Sequence, residues 1–123
     1  MKGKYDVAIV GGGPAGLSAS IFLARYLRSV LLVDSGDPRN WETRGINAFL
    51  GLPGIKPSEL RAKGREEARK YGVELVDDCV YRAQKLDDDH FVITTHSGAA
   101  AEMRSSPSRR VLFSCFCSGA SAL

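Results

Sequence analysis

Apolar and polar positions follow one rhythm in the first three-fifths of the chain and another afterwards. Residues 5–10 are a short apolar run of strand composition that ends on glycines, and residues 30–33 are a second, β-branched run that stops on Asp34. Between them Leu17, Ile21, Ala24 and Leu27 recur at helical spacing, with Phe22 and Leu23 widening the apolar face. This predicts a helix over 14–27 packed on a sheet. Arg25 and Arg28 fall in its last turn, where cations suit the helix dipole, and read as a solvated end. A second helix is expected over 58–71, with Ser58 as N-cap, Glu59 in the first turn and Gly72 just past the end. Leu60, Gly64, Ala68 and Tyr71 line one side of it. Arg61, Lys63, Glu66, Glu67, Arg69 and Lys70 cover much of the rest, and read as an exposed face needing no partner.

A third apolar run, 73–76, completes the order strand, helix, strand, loop, helix, strand. That order predicts an α/β fold with a parallel sheet and crossover helices. Residues 79–86 and 90–95 then read as strands joined at Asp87-Asp88-Asp89, an appended antiparallel β-hairpin. Beyond Gly98 the pattern weakens. Residues 99–103 pass either as weak helix or as a third hairpin strand, 110–113 as a strand start, and 114–123 show no clear period.

The candidate chemistry lies between the first two strands. Gly11, Gly13 and Gly16 have the G-x-G-x-x-G spacing, with a strand before them, a helix after them and an acid ending the next strand. That context is the dinucleotide-binding fingerprint. Gly11 permits the sharp turn off the strand, Gly13 lets the backbone approach a pyrophosphate, and Gly16 brings the helix onto the sheet. Pro14 suits the first helical position, and the N–H groups from Ala15 onward would face the phosphates. Asp34 is placed to accept hydrogen bonds from ribose hydroxyls. The loop that starts at Ser35 follows this acid directly, so part of it should border the ligand. Arg39 within it either lies near an adenosine or is plain surface; a 2′-phosphate there would be repelled by Asp34. Trp41 reads as an anchor of the loop.

Composition adds limits. The chain has 123 residues, 44% hydrophobic and 25% charged, enough for one small core. A net charge of +3 with scattered basic residues gives no case for nucleic acid. No apolar run reaches the roughly 20 residues of a membrane span, and the start lacks a signal-peptide pattern. Three cysteines without framework spacing point to a reducing, cytoplasmic setting.

Residues 1–98 resemble the flavin-binding part of the thioredoxin reductase-like branch of the pyridine nucleotide–disulfide oxidoreductases. Val10-Gly-Gly-Gly-Pro-Ala-Gly-Leu-Ser-Ala resembles that superfamily's N-terminal FAD fingerprint. Leu32-Val-Asp-Ser-Gly-Asp-Pro-Arg-Asn40 and Asn47-Ala-Phe-Leu-Gly51 are similar to a subgroup that includes dithiol oxidases and reductases. The resemblance implies a Rossmann-like, three-layer FAD/NAD(P)-binding fold. It implies that the Gly11–Gly16 turn and Asp34 hold the ADP half of FAD, with Arg39, Asn40 and Asn47 near the cofactor. FAD is then the first candidate ligand, ahead of NAD, and NAD(P)H the family's electron donor. Family members run to about twice this length or more, as two nucleotide-binding domains require. A second glycine fingerprint, a redox C-x-x-C and a late Gly-Asp segment do not occur in this sequence. Residues 1–98 are therefore expected to be the front of an FAD/NAD(P)-binding domain, and 99–123 a divergent, truncated or frameshifted tail. The implied activity is flavin-dependent oxidoreduction, with no catalytic residue assigned because the flavin carries the chemistry. The alternatives are a binding module for an adenine dinucleotide without turnover, or an inactive chain. An incomplete sheet has an open edge, so a homodimer or a complementing chain is the expected partner.

Other residues with chemical potential read as structural. Cys115-Phe-Cys117 has C-x-C spacing with no following helix to activate a thiol. Cys79 reads as a small buried apolar residue at a strand start. His90 and His96 flank one strand without a third ligand at zinc-like spacing, and read as surface or turn residues. Asp87-Asp88-Asp89 lacks the later glycine and glutamate of a calcium loop.

Overall fold

The computed structural model describes residues 3–36, 44–47, 49–88, 90–104, 111–113 and 121–122. The elements in order are β1 (Lys4–Tyr5), β2 (Val7–Val10), α1 (Pro14–Arg25), β3 (Val30–Asp34), α2 (Pro57–Lys70), β4 (Glu74–Asp77), β5 (Val80–Asp87), β6 (His90–Thr95), β7 (Ala100–Arg104), β8 (Val111–Phe113) and β9 (Ser121–Ala122). They form three layers. A parallel sheet of order β4-β3-β2-β8 lies between the two helices and a second sheet of order β1-β7-β6-β5-β9. The α/β, Rossmann-like arrangement expected from the sequence is present.

The alternation along β2 and β3 explains the layering. Val7, Ile9, Val30 and Leu32 pack with Leu17, Ala24 and Ala68 of the helices. Ala8, Val10, Leu31 and Val33 point the other way, onto Val80, Ile93, Ala101 and Met103 of the second sheet. Strands covered on both faces read as continuous apolar runs, which is why these two were legible. Gly64 lets the helices meet closely, because a Cβ there would stand 3.0 Å from Leu17 Cδ1.

Several local expectations are corrected. The first apolar run is two strands, broken at Asp6. The Asp6 and Val7 N–H groups both donate to Ser29 O, at 3.0 and 3.1 Å. The Asp6 carboxylate accepts from Ser29 N at 2.9 Å and Ser29 Oγ at 3.0 Å, so the chain changes sheet there. Helix α1 stops at Arg25, not Leu27. Leu27 takes a left-handed φ of 58°. Arg28 N–H reaches back to Leu23 O at 3.2 Å and Leu27 N–H to Ala24 O at 3.0 Å. These bonds make a Schellman turn, with leucine where glycine is usual. Leu27 and Phe22, assigned to the apolar face, are exposed instead. The N-cap of α2 is Lys56, not Ser58, since Pro57 occupies the first helical position and Glu59 reaches back to Lys56 N–H at 3.4 Å. Tyr71, expected to line one side of α2 with Leu60, Gly64 and Ala68, is half exposed, with the Arg25 guanidinium 5.9 Å above its ring.

The expected hairpin is present as antiparallel β5 and β6, and residues 100–104 add a third antiparallel strand beside β6. Asp78 pins this meander to the end of β4. Its carboxylate accepts from Cys79 N at 2.7 Å and from Ser97 through both Oγ and N. Hydrogen bonds from Ser97 and then Thr95 hold its pKa down to about 2. The stability from a depressed carboxyl is present above the unfolded value of 3.8 and lost as pH falls through about 2. Protection of the Ser97 amide from hydrogen exchange is therefore expected to fall over that window. Asp78→Asn should flatten the fall; an unchanged acid profile in that variant would show that the anchor is elsewhere.

Candidate functional site

The glycine turn lies at the C-terminal edge of the parallel sheet, between β2 and α1. Gly11 has a φ of +106° and donates its N–H to Val33 O at 2.8 Å, so the turn is tied to β3. Only glycine adopts that conformation without strain. Gly13 is different. It is extended (φ −74°, ψ 179°), a conformation open to any residue, and a Cβ built on it meets nothing within 4 Å. Neither backbone strain nor a steric clash requires glycine at position 13, although it is the N-cap of α1, where glycine is favoured over alanine. Pro14 is the first residue of α1, no side chain caps the helix, and the first intrahelical bond is Leu17 N–H to Gly13 O at 2.9 Å. The N–H groups of Ala15 and Gly16 lie ahead of that bond, at the positive end of the helix. Pro14 and Ala15 are exposed and Gly16 is buried.

Asp34 closes β3 beside this turn, with its side chain only 8% exposed. Its Oδ2 accepts from Arg61 Nη2 and, at 3.1 Å, from Arg65 Nη1; its Oδ1 accepts from Gly36 N at 3.2 Å. Burial pushes the Asp34 carboxyl up. The hydrogen bond from Arg61, the Gly36 N–H, the Arg61 charge and the Gly12 N–H together outweigh it and hold the group below the usual carboxylate value. Arg65 also reaches Asp77 Oδ1 at 2.6 Å, and Asp77 is the register partner of Asp34 on the neighbouring strand.

Three of these residues were not assigned a role from the sequence. Gly12 falls at a variable position of the fingerprint, yet a Cβ there would lie 2.3 Å from Asp34 Oδ2. Arg61 was placed on an exposed face without a partner, and the structure corrects this: Arg61 and Arg65, one turn apart, both turn inward to Asp34. The available signal was an i,i+4 pair of arginines on a helix expected to lie beside an acid-terminated strand.

Two further candidates lie among the described residues. Ser35 is exposed immediately after Asp34. Asn47 is exposed on a separate loop, next to the backbone bridge of Ile46 and Ile55. Arg39, Asn40, Trp41, Cys115 and Cys117 lie outside the described residues. His96 sits in a turn with its ring centroid 5.4 Å from that of Tyr81, and His90 is half-buried with Nε2 at 3.5 Å from Glu102 Oε2. Among the described residues no group of three His, Cys, Asp or Glu could hold a metal, and no helix is long and apolar enough to cross a membrane.

Known proteins share this fold and sequence. Residues 5–98 match the model of the family described as pyridine nucleotide-disulphide oxidoreductase. The chain belongs to that family. This pyridine nucleotide-disulphide oxidoreductase family depends on FAD and NAD(P)H. A probable thioredoxin reductase of Arthroderma benhamiae is 37% identical over 102 residues, covering 78% of this chain and 25% of the relative. Thioredoxin reductase of Bacillus subtilis is 36% identical over 72 residues, 57% of this chain and 23% of the relative. Among solved structures, a putative thioredoxin reductase from Bacillus anthracis superposes with a TM-score of 0.80 at 33% identity, covering 89% of this chain and 35% of that one. The chain thus spans about a quarter of the curated relatives and about a third of the solved structure.

Proposed function

We propose that the turn Gly11–Gly16 and Asp34 bind the ADP half of FAD, and that the chain is the nucleotide-binding front of a thioredoxin reductase-like oxidoreductase. One observation carries this reading. Gly13 has ordinary backbone angles and open space where a side chain would be, so its backbone is open to the close approach of a ligand. The uncapped start of α1 beside it suits a diphosphate, whose charge the helix N–H groups and dipole favour. Bound flavin supplies the electron transfer between a pyridine nucleotide and a disulfide; the residues of this chain bind and orient its adenosine end. Ser35, Arg39, Asn40 and Asn47 are proposed to border the same cofactor. Residues 1–98 are read as the part of the domain shared with the family and 99–123 as a divergent tail. A second copy or a complementing chain is the proposed partner.

The test is the visible spectrum of the chain after FAD is added and the excess removed by gel filtration. A retained, protein-shifted flavin band is expected. Gly13→Ala should cost the fold about 0.5–1 kcal/mol, because alanine is the poorer N-cap, and weaken FAD binding about tenfold or more, the equivalent of roughly 1.4 kcal/mol. A folded chain that retains no flavin, or a Gly13→Ala variant that binds as well as the parent, would overturn the reading.

A further inference from the structure

One oxygen of the proposed ribose acid is already fully taken. A carboxylate offers about four acceptor positions. In Asp34 both positions on Oδ2 are taken, by Arg61 Nη2 and Arg65 Nη1, and the Gly36 N–H takes one on Oδ1. Ribose hydroxyls that reach Oδ2 must displace one of its two donors. Both donors on Oδ2 are guanidinium groups, so the displaced group is an arginine.

The two arginines are not equivalent. Arg65 is held at both ends of its fork, by Asp34 at 3.1 Å and by Asp77 at 2.6 Å, with its side chain 13% exposed. Arg61 is more exposed, at 20%, and Asp34 is its acidic partner among the described residues. Its Nε is buried without a hydrogen-bond partner, a cost relieved as soon as the side chain swings into water. Gly12 makes the arrangement possible, because the absence of a Cβ gives the carboxylate room to fold in beneath the turn.

We propose that Arg61 competes with the adenosine ribose for Asp34, so that Arg61 sets how strongly the site distinguishes a ribose from its deoxy analogue, while Arg65 stays in place as the positioning residue. This rests on the adenosine-binding reading above. Binding then follows an exchange in which Arg61 leaves, ribose hydroxyls donate to the vacated oxygen, and Arg65, held by Asp77 as well, keeps the carboxylate aimed.

The experiment compares ADP with 2′,3′-dideoxy-ADP by titration calorimetry on the full chain and on Arg61→Met, Arg61→Gln and Arg65→Met. The two ligands carry the same charge, so losing a cation near the diphosphate cancels in the ratio of their dissociation constants. That ratio is expected to rise about tenfold in both Arg61 variants, the effect of releasing one charge-assisted hydrogen bond. It should fall in Arg65→Met. A merely structural role for Arg61 would move both affinities together and leave the ratio alone. An unchanged or lower ratio in folded Arg61→Met and Arg61→Gln overturns the competition while leaving adenosine binding intact. Failure of every protein, the parent included, to bind either nucleotide overturns the adenosine reading and this inference with it.

Discussion

Gly12→Ala is expected to destabilise the chain by about 2–4 kcal/mol and to remove nucleotide binding, through overpacking and a disrupted ion cluster. The new methyl carbon would stand 2.3 Å from Asp34 Oδ2, 2.5 Å from its Cγ and 2.9 Å from its Cβ. None of these atoms can step aside cheaply. Oδ2 is held by Arg61 and Arg65, and Oδ1 by the Gly36 N–H. Gly12 has no left-handed φ, so backbone strain adds nothing to the cost. The carboxylate must leave, and both guanidinium contacts go with it. Thermal denaturation of Gly12→Ala in the parent and in an Asp34→Gly background checks the cause. A coupling of about 1–2 kcal/mol between the two changes is expected for groups in direct contact. Additive effects would show that the cost of Gly12→Ala arises away from Asp34.

Asp34→Ala should be nearly as damaging, for a different reason. It removes the carboxylate shared by two arginines that are 20% and 13% exposed, and leaves Arg61 without its acid. Breaking one side of a partly buried pair is expected to cost about 2–3 kcal/mol, below the value for full burial because both side chains still touch water. The pH dependence identifies the origin. The folded Asp34 carboxyl is held below its ordinary value of 3.8. Its contribution is therefore present above that value and disappears as pH falls through the lower folded one. Parent and Asp34→Ala stabilities should differ at neutral pH and converge in acid; a gap that persists at low pH would assign the loss to packing. ADP and FAD should bind the variant at least about tenfold more weakly, as the loss of charge-assisted bonds to the ribose implies.

The glycine turn was legible because each residue in it answers a local demand. A positive φ at Gly11, a proline at the first helical position and an acid at the end of a strand all leave marks within thirty residues of one another. The two-sided burial of β2 and β3 was equally visible as unbroken apolar runs. The helix ends were less so. Leucine rarely takes a left-handed φ, so nothing in the apolar spacing announced that α1 would close at Arg25 with Leu27 turned outward. The break at Asp6 depends on Ser29, a residue distant in sequence that captures both the backbone and the carboxylate.

The sequence by itself determined the α/β order, the glycine turn, the acid at position 34 and the family, because periodicity and special backbone angles are properties of neighbouring residues. The tertiary structure alone decided what surrounds that acid. Parallel pairing set Asp34 beside Asp77, and the close approach of α2 carried Arg61 and Arg65 onto Asp34. A charged residue on a helix looks the same in sequence whether it faces water or a buried carboxylate. Its partner is chosen by the packing of elements twenty-seven and more residues apart, and that packing is a sum over the whole core.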